Sequence, residues 1–141
     1  MPLKNRIIPC LSYDDAKAAI EFLCNAFGFE KLHYYENEDG TVAHCQLNYM
    51  GNGIMVGDAA SGSPFSKYII QPKQVGGKET QTPYVVIDGD KIDAHYKTAQ
   101  KHGAQIAMEL EEQSYGGKNY AAFDLEGHLW SFGSYDPAGE G

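Results

Sequence analysis

Residues 13–29 read YDDAKAAIEFLCNAFGF, and the fold turns on how that stretch is read. Ala16, Ala19, Ile20, Leu23 and Phe27 recur at spacings of three and four, which places them on one face of a helix. Asp14 or Asp15 offers a carboxylate oxygen to the free N–H groups of the first turn, and Gly28 supplies the left-handed stop. A helix with one apolar stripe packs one side on a sheet. Strands lie on both sides of it. Arg6 to Tyr13 is apolar enough for a strand before the helix, and after Gly28 the period shortens to two. Phe29 to Tyr35, a turn at Asn37 to Gly40, Val42 to Tyr49, a turn at Gly51 to Gly53 and a short strand Ile54 to Val56 complete the order βαβββ.

The order then repeats. Residues 59–81 are rich in Gly, Ser, Pro and Lys and read as a linker or lid. Beyond them come a strand at Thr82 to Ile87, a cap at Asp90, a helix carrying Ile92, His95, Tyr96 and Ala99, and a stop at Gly103. Strands follow at Gln105 to Leu110, Asn119 to Phe123 and His128 to Tyr135. The units lie roughly 75 residues apart, an internal repeat. The expected organisation is one compact α+β unit: a first βαβββ module over 1–58, the linker over 59–81, a second module over 82–135 and a tail over 136–141. One module leaves a sheet face bare, so two are expected to close around that face as a half-open barrel with a cavity inside.

Composition narrows the function. The 141 residues are 43% hydrophobic and 21% charged, ordinary for a folded domain, and the net charge of −8 repels a phosphate backbone. Nucleic acid is not an expected partner, and a cationic or neutral ligand is favoured. No stretch approaches the roughly 18 apolar residues of a membrane span, and no leader pattern opens the chain. Cys10, Cys24 and Cys45 are odd in number and lack a CxxC pair, which points to a reducing cytoplasm.

The stretch Tyr13 to Phe22 with Ala26 to Phe29 resembles the first strand-to-helix signature of the vicinal oxygen chelate superfamily, which includes glyoxalases, extradiol dioxygenases, and fosfomycin and bleomycin resistance proteins. Tyr115 to Tyr120 and Asp124 to Phe132 resemble its closing hairpin. Leu125 departs from the family's proline, while Gly127 still supplies the turn's unusual backbone angles. The resemblance implies the tandem βαβββ fold and a small-molecule cavity. It also implies a homodimer, in some relatives with exchanged modules, for which the linker is long enough. Metal-using relatives take His or Glu ligands from the first and last strands of each module. Here those positions fall on Ile8 or Pro9, Met55, Pro83 or Tyr84, and Ser131, so neither metal nor other cofactor is expected. The branch implied is the bleomycin-resistance type, which encloses a drug without chemistry.

Residues expected to line the pocket are His44, Gln46, Met55, Tyr84, Tyr115, Lys118 and Ser131. Alternation along the third strand sets Ala43, Cys45, Leu47 and Tyr49 against the helix, and His44, Gln46 and Asn48 toward either the cavity or water. Met55, Tyr84 and Ser131 either line the pocket or plug the core. Tyr115 and Lys118 belong to a glycine-bearing loop, 113–119, that either closes over a ligand or serves as an ordinary hairpin. Trp130 and Phe132 are expected in the core, and His95 and His102 on the surface or end of the second helix. No nucleophile with a positioned base is legible, so no catalytic residue is assigned. The expected function is metal-independent sequestration of a small organic molecule, cationic and aromatic, such as a drug. The alternative is a metal-dependent lyase, isomerase or dioxygenase with unconventional ligands, for which His33 opposite His44 with Cys10 are the candidates.

Overall fold

Asp15 turns the chain into its first helix: its carboxylate accepts from the Ala18 amide at 3.1 Å. Helix α1 (Ala16–Phe27) then stops at Gly28, whose φ of 82° costs a residue without Cβ little and whose N–H reaches the Cys24 carbonyl. In the computed structural model, which describes residues 3–139, α1 follows β1 (Cys10–Tyr13) and precedes β2 (Glu30–Glu36), β3 (Val42–Tyr49) and β4 (Asn52–Asp58). These strands form one sheet, order β1-β4-β3-β2, with β1 parallel to β4 and the other pairs antiparallel. The pattern recurs with β5 (Tyr84–Val86), α2 (Ile92–Lys101), β6 (Gln105–Glu112), β7 (Lys118–Phe123) and β8 (Leu129–Gly133), in the order β5-β8-β7-β6. The α+β class and the tandem βαβββ units are as expected, and the two sheets remain separate rather than closing into a barrel. The first two and last two residues, with the outer ends of the first module and the tail, lie outside the described residues.

Both helices lie between the sheets. Phe27, at the end of α1, sits 5.8 Å from Trp130 and 4.7 Å from Phe132, both on β8, and Phe29 sits 5.5 Å from Trp130. On the other side, Tyr49 of β3 approaches His95 of α2 edge-on at 6.3 Å. Contact between the two helices completes a single shared core. Trp130 and Phe132 are fully buried in it, as expected. The sheet faces turned away from the helices therefore look out on opposite sides of the chain.

A polar network joins the modules beside this core. The buried carboxylate of Asp124 accepts from the Tyr13 hydroxyl at 2.6 Å and the Trp130 indole at 3.0 Å through one oxygen, and from the Glu126 and His128 amides through the other. Burial, and then the Asp124 charge, hold the Tyr13 phenol well above its ordinary value, so it remains a donor. His128 bridges the Ser12 carbonyl at 3.0 Å and the Glu79 carboxylate at 2.7 Å, and Glu79 also accepts from the Leu129 amide. Glu79 thereby ties the linker to the β7–β8 turn. Farther up the linker, Lys73, in the second of two 3₁₀ turns, pairs with Asp14 of the first module.

Four local expectations are corrected. β1 begins at Cys10, not Arg6: ahead of it the side chain of Asn5 replaces the backbone ladder, accepting from Gly53 N and donating to Gly53 O. Asp90 does not cap α2, because residues 88–91 form a turn closed by Lys91 N–H to Asp88 O, and Lys91 occupies the cap position. Ala43 is exposed while Val42 is buried, since a bulge pairs Glu36 with Val42 but Tyr35 with His44. His95 is not a surface residue. It lies on the same stripe as Ile92 and Ala99, between α2 and the end of α1, where Phe27 O and Tyr120 Oη take both ring nitrogens.

Candidate functional site

The register of the two sheets builds two matching rows on their outer faces. In the first, β1 sets Cys10 beside Met55 of β4, and Met55 beside Gln46 of β3. In the second, β5 sets Tyr84 beside Ser131 of β8, and Ser131 beside Ala121 of β7. One row further on the first sheet, His44 pairs with Tyr35, and their rings stack at 6.2 Å with 28° between planes. Asn48 shares this face, and the alternation that buries Cys45 and Leu47 leaves the polar set outward. His44, Gln46 and Met55 thus share one face, and Tyr84 and Ser131 share another.

Beside Tyr84 the second face carries a built cluster. Tyr84 lies across Gly133, where any Cβ would strike its ring, and donates its hydroxyl to the Tyr135 carbonyl at 2.7 Å. Burial, then the nearby Tyr115, pushes the Tyr84 phenol up, which keeps its proton in place. Tyr115 meets Tyr135 edge-on at 5.2 Å and accepts from the Asn119 amide at 2.7 Å. Lys118 stands apart from this group. The alternation of β7 turns it to the helix side, where it pairs with Asp93 of α2 at 3.2 Å. Two open cavities of about 550 and 430 Å³ border α2 there and share Glu112 and Lys118. Sequence reasoning passed over Tyr35 and Tyr135, because their place depends on strand register and on a chain end returning over the sheet, which no local pattern encodes.

A family model described as the Glyoxalase/Bleomycin resistance protein/Dioxygenase superfamily matches residues 6–132. The chain belongs to this superfamily. The uncharacterized protein Mb0911c of Mycobacterium bovis is 31% identical over 125 residues, covering 89% of this chain and 80% of its own length. Among solved structures, TioX from Micromonospora sp. ML1 superposes with a TM-score of 0.68 at 27% identity, covering 92% of this chain and 97% of TioX. A mutant of FosX of Listeria monocytogenes, a fosfomycin resistance protein, in complex with Mn(II) and 1S,2S-dihydroxypropylphosphonic acid gives 0.68 at 12% identity, covering 96% and 93%; this likeness shows the fold alone.

The Mn(II) in that fold relative prompts a test of this chain's donors. Register moves the first-strand position of the first module from the expected Ile8 or Pro9 to Cys10, which pairs with Met55, while Tyr84 pairs with Ser131: a soft thiol and thioether on one face and two hydroxyls on the other. Carboxylate and imidazole are absent from both pairs, so the rows do not fit a hard divalent cation. The unconventional set fails on register: a bulge between Lys31 and Tyr34 carries His33 out of line, and Tyr35 takes the place opposite His44. Among the described residues no group of three or more His, Cys, Asp or Glu is placed to hold a metal ion.

Proposed function

We propose that this protein sequesters a small organic molecule, such as a drug, without a metal, in a cavity formed between two copies of the chain. The observation that carries the reading is the inward placement of both helices. It leaves the Met55 row and the Ser131 row facing away from each other, so a single chain offers two half-sites. A second copy related by a twofold axis lays one kind of half-site over the other, and does so twice. One wall then carries His44, Gln46 and Met55, and the other Tyr84, Ser131 and the tyrosines beside them. Open tyrosine rings and a net charge of −8 suit an aromatic ligand, cationic or neutral. No helix among the described residues is long and apolar enough to cross a membrane, and three unpaired cysteines suit a cytoplasmic location.

Native mass spectrometry of protein purified without chelators, paired with elemental analysis, tests the proposal. The expected result is a dimer that retains or titrates an organic ligand and holds no stoichiometric metal. A monomer at micromolar concentration, or one divalent ion per chain surviving dialysis, would overturn it and return the argument to a metal-dependent enzyme.

A further inference from the structure

A relay of amides in the β6–β7 hairpin fixes where one phenol proton points. The Gln113 side-chain nitrogen faces the Glu111 backbone carbonyl at 3.3 Å, and a carbonyl only accepts, so that atom is the amide N–H₂. Its other proton goes to Asn119 Oδ1 at 2.8 Å, which orients the Asn119 amide with its nitrogen toward Tyr115. Asn119 Nδ2 then donates to Tyr115 Oη at 2.7 Å. The phenol oxygen is used as an acceptor, and its own proton meets no acceptor among the described residues. Accepting a hydrogen bond polarises the hydroxyl and makes it a stronger donor. Tyr115 stands 57% exposed, beside the open rings of Tyr84 and Tyr135, and the Ser131 side chain lies on the same face.

We infer that Tyr115, oriented by Gln113 and Asn119, is a hydrogen-bond donor for a planar aromatic ligand bearing a carbonyl oxygen, with Tyr84 and Tyr135 as its stacking surface. The assignment deepens the sequestration reading and rests on it: the carbonyl is read by one polarised proton, and the ring by the tyrosines.

Two fluorescent probes of similar shape separate these contributions, 7-methoxycoumarin, which carries a ring carbonyl, and 2-methoxynaphthalene, which does not. The dimer should bind the coumarin more tightly. Tyr115→Phe should weaken coumarin binding about fivefold, the worth of one hydrogen bond, and leave naphthalene binding unchanged. Asn119→Asp keeps the shape but replaces the donor with a carboxylate that accepts the Tyr115 proton. It should therefore abolish the preference although Tyr115 is intact, with circular dichroism and dimer mass unchanged. Both probes bound in the same ratio by all three proteins would overturn the donor assignment and leave sequestration standing. No saturable binding of either probe to the dimer would overturn the two together.

Discussion

His95 has two hydrogen-bond partners with different demands. The Phe27 carbonyl, 2.9 Å from Nε2, requires a donor, so Nδ1 is left to accept from the Tyr120 hydroxyl at 2.7 Å. The ring is neutral in this arrangement, and burial pushes its pKa below the ordinary 6.5, against a smaller opposing effect of the Phe27 carbonyl. The unfolded chain takes up the proton first as pH falls. The stability His95 contributes is therefore complete above about pH 6.5 and lost as pH falls toward the depressed native value. Denaturation titrations between about pH 7 and pH 5 should show this loss, and His95→Gln should flatten it. Asp124 is a larger liability. Asp124→Ala leaves the Tyr13 hydroxyl, the Trp130 indole and two amides without an acceptor, and should cost about 3–5 kcal/mol in urea unfolding. At this scale the sequence speaks for local geometry. Asp124, Glu126 and Gly127 read as a turn because the bonds that close it, from the Glu126, Gly127 and His128 amides to Asp124, span two to four residues, whereas Tyr13 bonds to Asp124 across 111 residues and nothing near Tyr13 announces it. His95 was legible in part: its spacing from Ile92 and Ala99 puts it on the buried stripe, and its polarity argued the other way.

The linker is the element whose behaviour composition describes least well. Its Gly, Ser, Pro and Lys content reads as a flexible connection, yet Glu79 is largely buried and holds both His128 and the Leu129 amide at 2.7 Å. The Lys73 to Asp14 pair is exposed and contributes little. Phe65, Tyr68, Ile69 and Ile70 protrude ahead of both ties. Glu79→Ala should release the second half of the linker, and amide exchange at Leu129 should rise by about tenfold or more, while exchange in α1 stays the same. The strands were more legible than the linker because alternation is enforced along their whole length. The exceptions fall where a bulge resets the period, at Ala43 and around His33, and a bulge has no signature when Gly is absent from it.

In the whole molecule, the tandem βαβββ plan was readable from the repeat, and the placement of one unit on the other was not. An apolar stripe states that a helix is covered without stating by which sheet. One signal was present: α1 buries Phe22 and Ala26 as well as the Ala16, Ala19, Ile20, Leu23 and Phe27 stripe, a band wider than one sheet needs. Because each half-site lies on its own outer face, ligand capture and self-association should fall together on dilution. Sedimentation velocity and probe fluorescence across one concentration series check this; binding that persists in a monomer would show that one face suffices. The shared core also sets the order in which the chain can mature during synthesis. Phe27 and Phe29 touch Phe22 and Tyr49 of their own module but have their other partners, Trp130 and Phe132, on β8, so the first module leaves the ribosome with two aromatic rings only half covered. At about 5–20 residues per second, the intervening stretch of roughly 100 residues takes on the order of 10 s to make. For that interval the nascent chain presents a sticky surface to chaperones.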